Sequence, residues 1–293
     1  MGIAEWFSEF YQNCIIPQTS ISSFSYRYRR ITKQLNTDFY SSSSETDNSW
    51  YVGSYGRDTA SNLISDLDIL YVLPNSLYQR YDQYAGNGQS ALLQLVKASV
   101  QRTYPTSDSF ADGQIVGIDF TDGVKVEIVP AFLNQSNTYT YPNTNGGGNW
   151  QSTDPGPEIK AINDINNETN KNLKKACRMM RHFVRANKVP MGGMLIDTLT
   201  ARFLRKWEYQ DKSFIYYDWL FRDLFFFLSE QDSSQTTFVS IGSERRMNRT
   251  GIFERKAKSA YDTAVEAIES AKNGYEYSAK SKWREIFGNA FPQ

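Results

Sequence analysis

A mixed α/β lobe followed by an α-helical lobe is the fold class this sequence predicts, and three observations carry it. β-rich runs alternate with helical patterns up to about residue 133. A stretch rich in Asn, Gly, Thr and Pro then occupies residues 134–157 (NQSNTYTYPNTNGGGNWQSTDPGP), and reads as a long loop and lobe boundary. Beyond it every apolar pattern steps by three or four residues. The chain has 293 residues, 40% hydrophobic and 15% aromatic. A chain of that size buries roughly three quarters of its extended surface, as one large domain or two intimate lobes. The predicted division is 1–155 and 156–293.

Within the first part, Ile21, Phe24, Tyr28, Ile31, Leu35 and Phe39 form one apolar stripe, so residues 20–40 read as a long helix. Arg27, Arg29, Arg30 and Lys33 fall largely off the stripe and read as its solvated side. SSSSETDNS (41–49) breaks the helix. Residues 51–52 end a short strand, Gly53-Ser54 turns the chain, and 58–64 reads as a short helix. Residues 66–73 read as a strand stopped by Pro74, with a helix near 88–102. GQIVGIDF and VKVEIVPAF flank Asp122-Gly123, a strong hairpin signal. In the second part, Leu173, Ala176, Cys177, Met180, Phe183 and Val184 mark one amphipathic helix. MLIDTLTARFLRKW, FIYYDWLFRDLFFFL and ERKAKSAYDTAVEAIESAKNGY mark others, with the aromatics read as core.

Lys plus Arg and Asp plus Glu balance at 32 each, so net charge gives no polyanion-binding signal. Two cysteines are too few for a disulfide framework, and a single histidine, His182, excludes a His-Cys zinc cluster. No run is long enough to cross a bilayer, and the opening MGIAEWFSEFYQNCIIP lacks a basic n-region. The expectation is a soluble cytoplasmic protein.

VGSYGRDTASNLISDLDILYVLP (52–74) places Asp66 and Asp68 inside a greasy strand. Alternation puts both on one face, with Leu67 and Ile69 on the other. Neighbouring carboxylates repel unless a cation compensates, and Mg²⁺ favours one or two carboxylates together with substrate phosphates. Glu127 is a third acid in an aliphatic strand. With Asp122-Gly123 as a two-residue turn, Ile118 falls opposite Glu127 and Asp119 points away, so Glu127 is the acid chosen. Gly53 lets backbone approach an anion closely, and Ser54 adds a hydroxyl donor. Taken singly, each feature also fits a solvated strand face or an ordinary turn.

Together, Gly-Ser, about a dozen residues, Asp-x-Asp in a strand and an acid in a later strand resemble the DNA polymerase β-like nucleotidyltransferases. VGSYGRDTASNLISDLDI, VKVEIVPAF, WQSTDPGPEI, KKACRMMRHFVRANKVPMGGMLIDTLTARFL and KWREIFGNAFPQ resemble the cGAS/DncV-like branch, the CD-NTases. Arg57-Asp58 stands where that branch often has Gly before Thr59. The resemblance implies a polymerase β-like lobe with a mixed sheet, packed on a helical lobe and joined by a long N-terminal spine helix. It implies two NTPs and two Mg²⁺ ions (Mn²⁺ as substitute) bound between the lobes. Asp66 and Asp68 would hold both ions, and Glu127 the one near the attacking hydroxyl. Gly53 and Ser54 would cradle the donor triphosphate, and Arg178 and Arg181 would stand where relatives have phosphate-reaching lysines. The implied product is a cyclic oligonucleotide, made from ATP, GTP or pyrimidine NTPs with release of pyrophosphate. A separate effector would read it in anti-phage (CBASS-type) signalling, with a regulatory protein partner compatible and nucleic-acid activation not expected. The alternatives are a linear or NMP-transferring nucleotidyltransferase and a catalytically silent nucleotide-binding module. Tyr141 and Trp150 are candidates for stacking on a base, with loop anchoring as the alternative.

Overall fold

The computed structural model describes residues 2–293. In chain order its first half holds α1 (Ile3–Cys14), α2 (Gln18–Tyr40), β1 (Ser49–Tyr51), α3 (Gly53–Gly56), β2 (Asp66–Val72), α4 (Asn75–Asp82), α5 (Gly88–Thr103), β3 (Asp108–Asp112), β4 (Ile115–Asp119), β5 (Lys125–Leu133), β6 (Tyr139–Asn143) and β7 (Asn149–Thr153). The second half holds α6 (Pro155–Glu168), α7 (Asn172–Ala186), α8 (Gly193–Leu204), α9 (Tyr217–Ser229), β8 (Thr237–Val239), β9 (Arg246–Asn248), α10 (Glu254–Lys272) and α11 (Glu276–Phe287). The chain divides into two compact units. One comprises Pro17–Gly56 and Ile64–Pro155, the other Met1–Ile16, Arg57–Leu63 and Gly156–Gln293.

The first unit is built on a sheet of order β1-β2-β5-β4-β3, with β6 paired to β5 and β7 to β6. The β2–β5 pairing is parallel and the others are antiparallel, so the sheet is mixed. Period-2 alternation decides its faces. Leu67, Ile69 and Tyr71 on β2, Val126 and Ile128 on β5, and Val116 and Ile118 on β4 are fully buried on one face. Burial of each such side chain contributes roughly 1.5–3 kcal/mol. The α2 stripe of Phe24, Tyr28, Ile31 and Leu35 is also buried. Behind the sheet, Tyr28 Oη donates to the Ser49 carbonyl (2.7 Å) and Tyr71 Oη to Asn36 Oδ1 (3.0 Å). The α5 helix starts where the Asn87 side chain accepts from Ser90 N, and it buries Leu92, Leu93, Val96 and Val100.

Three local expectations are corrected here. Residues 134–157 are not a long loop, because β6 and β7 pair from Tyr139↔Thr153 to Asn143↔Asn149. The Asn- and Gly-rich stretch serves the hairpin's turn, where Gly146, Gly147 and Gly148 all have positive φ. The β4–β5 loop is longer than two residues. Phe120 N bonds Val124 O and Gly123 N bonds Phe120 O, with Gly123 at φ +82°, a three-residue turn of the G1-bulge type. No helix spans 58–64. The one-turn α3 comes earlier, and Asp58 at φ +57° interrupts helical geometry.

The second unit is helical apart from a small β8–β9 hairpin at residues 237–248, a segment whose strands the sequence pattern does not announce. Its core is aromatic. Phe7 stacks on Phe221 and meets Trp283 edge-on, and Phe183 meets Phe225. The α9 helix buries Tyr217, Leu220, Phe221, Leu224, Phe225 and Leu228, as its periodicity predicts. Along α10, Ala257, Ala260, Ala264 and Ala267 are buried, and their small side chains let it approach its neighbours closely. Cys14 and Cys177 are buried free thiols, and burial pushes the pKa of each up. Among the described residues no helix is long and apolar enough to cross a membrane.

His182 is buried in this unit, with Nε2 3.0 Å from Asn62 Oδ1 and Phe10 edge-on to its ring. Burial pulls its pKa down from 6.5 to about 4. The unfolded chain binds the proton more readily, so stability falls as pH drops from about 6.5 to about 4 and changes little from this source below that. The loss is on the order of 3 kcal/mol. Denaturant titrations between pH 7 and pH 4 should show this slope in the wild type and a flatter one in His182→Gln.

Candidate active site

The exposed face of the sheet carries the acids. Register sets them side by side: Asp66 pairs with Lys125 and Asp68 with Glu127 across the parallel β2–β5 ladder. On the other flank Gly117 pairs with Glu127 and Asp119 with Lys125. Because of the longer turn, this register differs by one residue from the two-residue-turn expectation. Asp119 therefore lies on the same face as Glu127 and pairs with Lys125 Nζ (3.9 Å). Position 117 has room only for glycine because Phe110 covers it; a Cβ there would fall inside the Phe110 ring. Lys125 Nζ lies 5.3 Å from that ring's centre.

The acids crowd one another. Glu127 is half-buried, and desolvation followed by the charges of Asp68 and Asp66 pushes its carboxyl above the usual range, with Lys125 opposing. A face of hard oxygen donors that repel each other is the donor chemistry a divalent cation satisfies. As the side chains stand, no group of three or more His, Cys, Asp or Glu among the described residues closes to ion-binding geometry. Backbone register gives the acids their shared face.

Gly53 and Ser54 open α3 immediately beyond β1, where Val52 N bonds Asp68 O (3.0 Å) and Gly56 N bonds Val52 O (2.9 Å). Only glycine fits at position 53. Its φ is +61°, and a Cβ would overlap the Asp68 carboxylate. Tyr55 ties the turn to the sheet unit through Tyr51 (4.8 Å between centroids) and Phe24 (5.7 Å). Farther along the acid-bearing face the alternation becomes apolar. Val52, Leu70 and Ala131 are buried against Trp50, Val72, Tyr139 and Tyr141. Sequence reasoning misses Trp50 and Tyr139, since their place depends on strand pairing. Trp150 lies elsewhere: on β7 it packs on Tyr78 and Phe132 and donates Nε1 to Asp82 (2.9 Å), a structural anchor.

Arg178 and Arg181 belong to the helical unit and are engaged by protein there. Arg178 Nε donates to Ala60 O (3.0 Å), and its guanidinium pairs with Asp58, as does Lys174 (3.0 Å). Arg181 donates to Asp197 Oδ1 (2.8 Å), Thr59 Oγ1 (3.0 Å) and Cys177 O (3.0 Å). Arg57 Nε meets Asp197 Oδ2 (3.0 Å), and Thr59 Oγ1 donates to the same oxygen (2.7 Å). Burial alone would raise the Asp197 carboxyl. The charges of Arg181 and Arg57, together with hydrogen bonds from Arg181 and Thr59, outweigh that and hold it down to about 2.

The chain's likeness to known proteins agrees with this arrangement. No curated protein sequence matches it. The fold matches that of Escherichia coli MS115-1 CdnC in a complex with HORMA-deltaN, at a TM-score of 0.69 and 14% identity over 99% of this chain and 98% of that one. It matches the Bradyrhizobium diazoefficiens CD-NTase CdnG in complex with GTP (0.69; 10% identity; 98% and 95% coverage). It also matches Vibrio cholerae DncV cyclic AMP-GMP synthase with nonhydrolyzable GTP (0.69; 13%; 97% and 96%). These likenesses establish the polymerase β-like CD-NTase fold. The sequence model of the Second Messenger Oligonucleotide or Dinucleotide Synthetase domain, SMODS, matches residues 1–166 and thus takes in the turn, the paired acids and the strands that align them; the chain belongs to this family, among the CD-NTases.

Proposed function

We propose that this chain is a divalent-metal-dependent nucleotidyltransferase that joins NTPs into a cyclic oligonucleotide second messenger. The observation that carries the reading is the Asp68–Glu127 register on an open sheet face, with Gly53 packed against Asp68. Asp66, Asp68 and Glu127 would hold two Mg²⁺ or Mn²⁺ ions, with Glu127 on the side of the attacking hydroxyl. Bound there, the ions would supply charge neutralisation for in-line displacement at an α-phosphate. Gly53 and Ser54 would receive the donor triphosphate, and the Trp50, Tyr139 and Tyr141 patch offers a surface against which a base can stack.

In the reaction a ribose hydroxyl gives up its proton to solvent, its oxygen bonds to the α-phosphorus of a second nucleotide, the bond from that phosphorus to the oxygen bridging it to the β-phosphate breaks, and pyrophosphate leaves. A second round on the linear product closes the ring. A DncV structure holding the linear intermediate 5′ pppA(3′,5′)pG supports two successive rounds in this fold. ATP, GTP or pyrimidine NTPs in the cytoplasm are the proposed substrates, and a separate effector in CBASS-type defence is the proposed reader. The CdnC:HORMA-deltaN complex supports a regulatory protein partner. Arg178 and Arg181 stand where relatives have phosphate-reaching lysines; both are engaged by protein partners, and we propose that they also shape the helical unit.

Incubation with all four NTPs and Mg²⁺ or Mn²⁺ should yield pyrophosphate and a phosphatase-resistant product, identified by mass spectrometry. A phosphatase-sensitive ladder would favour linear synthesis, a labelled macromolecule NMP transfer, and NTP binding without pyrophosphate a silent module. Asp68→Ala should abolish product while leaving the circular dichroism spectrum intact; wild-type turnover would reject the assignment. Mg²⁺ should raise the melting temperature of the wild type more than that of Asp68→Asn, an effect readable without turnover. Gly53→Ala should destabilise by roughly 1–2 kcal/mol, from its left-handed backbone, and slow product formation by about 100-fold as the Asp68 carboxylate is displaced.

A further inference from the structure

Residues 57–63 follow the Gly53–Ser54 turn directly, yet they belong to the helical unit. They are held there by hydrogen bonds and ion pairs to distant residues rather than by secondary structure. Asn62 N bonds Cys14 O (2.9 Å) and Asn62 Nδ2 bonds Asn13 O (2.8 Å). Ala60 O and Asp58 are taken by Arg178 and Lys174, and Arg57 and Thr59 by Asp197. Arg57 Nη1 also lies 3.8 Å from Glu158 Oε2, whose carboxylate accepts from Ser243 Oγ (2.7 Å). Asp197 is 0% exposed, Thr59 0% and Arg57 6%.

Such a cluster is a poor way to gain stability. Desolvating two guanidiniums and two carboxylates costs about as much as their attraction returns, and well-packed apolar side chains often do as well or better. What the ionic cluster supplies is direction. The Asp197 carboxylate accepts from Arg57, Arg181 and Thr59 at once, and each bond fixes an angle that an apolar contact would leave loose.

We propose that Asp197, Arg57, Arg181 and Thr59 form a positioning clamp that sets the conformation of the Gly53–Gly56 turn through the four residues Arg57–Ala60 that follow it. The clamp rests on the functional reading above only for its catalytic consequence. Its local consequence stands apart: Tyr55 and the Gly56 N–Val52 O bond tie the turn on its own side and the clamped Arg57 follows it, so loosening the clamp raises the mobility of residues 53–56. Arg57, Arg181 and Thr59 are thus positioning residues that act on the turn through the backbone following it.

The test is a pair of substitutions at a buried hydroxyl. Thr59→Val keeps shape and removes the hydroxyl's hydrogen bonds; Thr59→Ser keeps the hydroxyl. Amide hydrogen exchange of residues 53–56 is followed by mass spectrometry, with β2 as internal reference, alongside KM and kcat for NTPs. Thr59→Val should speed exchange at residues 53–56 by about tenfold relative to β2 and raise KM by about tenfold, with kcat changed by less than about threefold. Thr59→Ser should match the wild type. Unchanged exchange at 53–56, or a loss confined to kcat, would overturn the clamp. If Thr59→Val does not fold, Arg57→Lys, which keeps charge but loses the guanidinium fork, is read the same way. If the wild type makes no product from any NTP, the functional reading fails, and the exchange data alone decide the clamp.

Discussion

Carboxylate crowding on one sheet face is the constraint around which the rest of this molecule is arranged. The parallel β2–β5 pairing brings Asp68 level with Glu127, and that pairing is inserted among antiparallel neighbours. Parallel strands are ordinarily covered on both faces. Here one face is sealed by aliphatic side chains beneath α2 and α5, while the other is left open at its acidic end. Burial, and after it repulsion from Asp68 and Asp66, raises the Glu127 carboxyl. A fold organised for stability alone would replace them. They stand where Gly53 gives up its side chain to Asp68.

The helical unit follows a different logic. Its aromatic interior supplies bulk burial, and its ionic cluster at Asp197 supplies geometry. The departure from the family's usual Gly before Thr59 takes on meaning there. Arg57 is a long cation set just ahead of that threonine, and it finds two buried carboxylates to meet it. It adds a bonded contact directly after the turn, on a segment otherwise without regular structure.

Much of this is legible in the residues. Period-2 alternation puts Asp66 and Asp68 on one face of their strand and Glu127 opposite the aliphatic side of its own, the β2–β5 register joins the two, and the α2 stripe and the core of α9 follow from helical periodicity. What stays hidden depends on pairing or on distant partners. Asp119 falls on the same face as Glu127, against expectation, because a single extra turn residue, with Gly123 in the left-handed region, shifts the hairpin register by one. The β6–β7 strands are disguised by Tyr, Asn and Thr, whose polar composition suits a loop as well as a solvated hairpin. Strand β3, DSFAD, is too short and acidic to announce itself. The segment 58–64 reads as helical by composition, and only its partners far along the chain, Asp197 on α8 and Arg178 on α7, explain why it is not.

Phe110 has one more consequence. Its ring occupies the space over Gly117, directly across the ladder from Glu127. That ring takes the place of a side chain on β4 beside the carboxylate, with Lys125 Nζ 5.3 Å from its centre. Any larger residue at 117 would have to evict an aromatic ring, so an uncharged pair guards the strand next to a charged one.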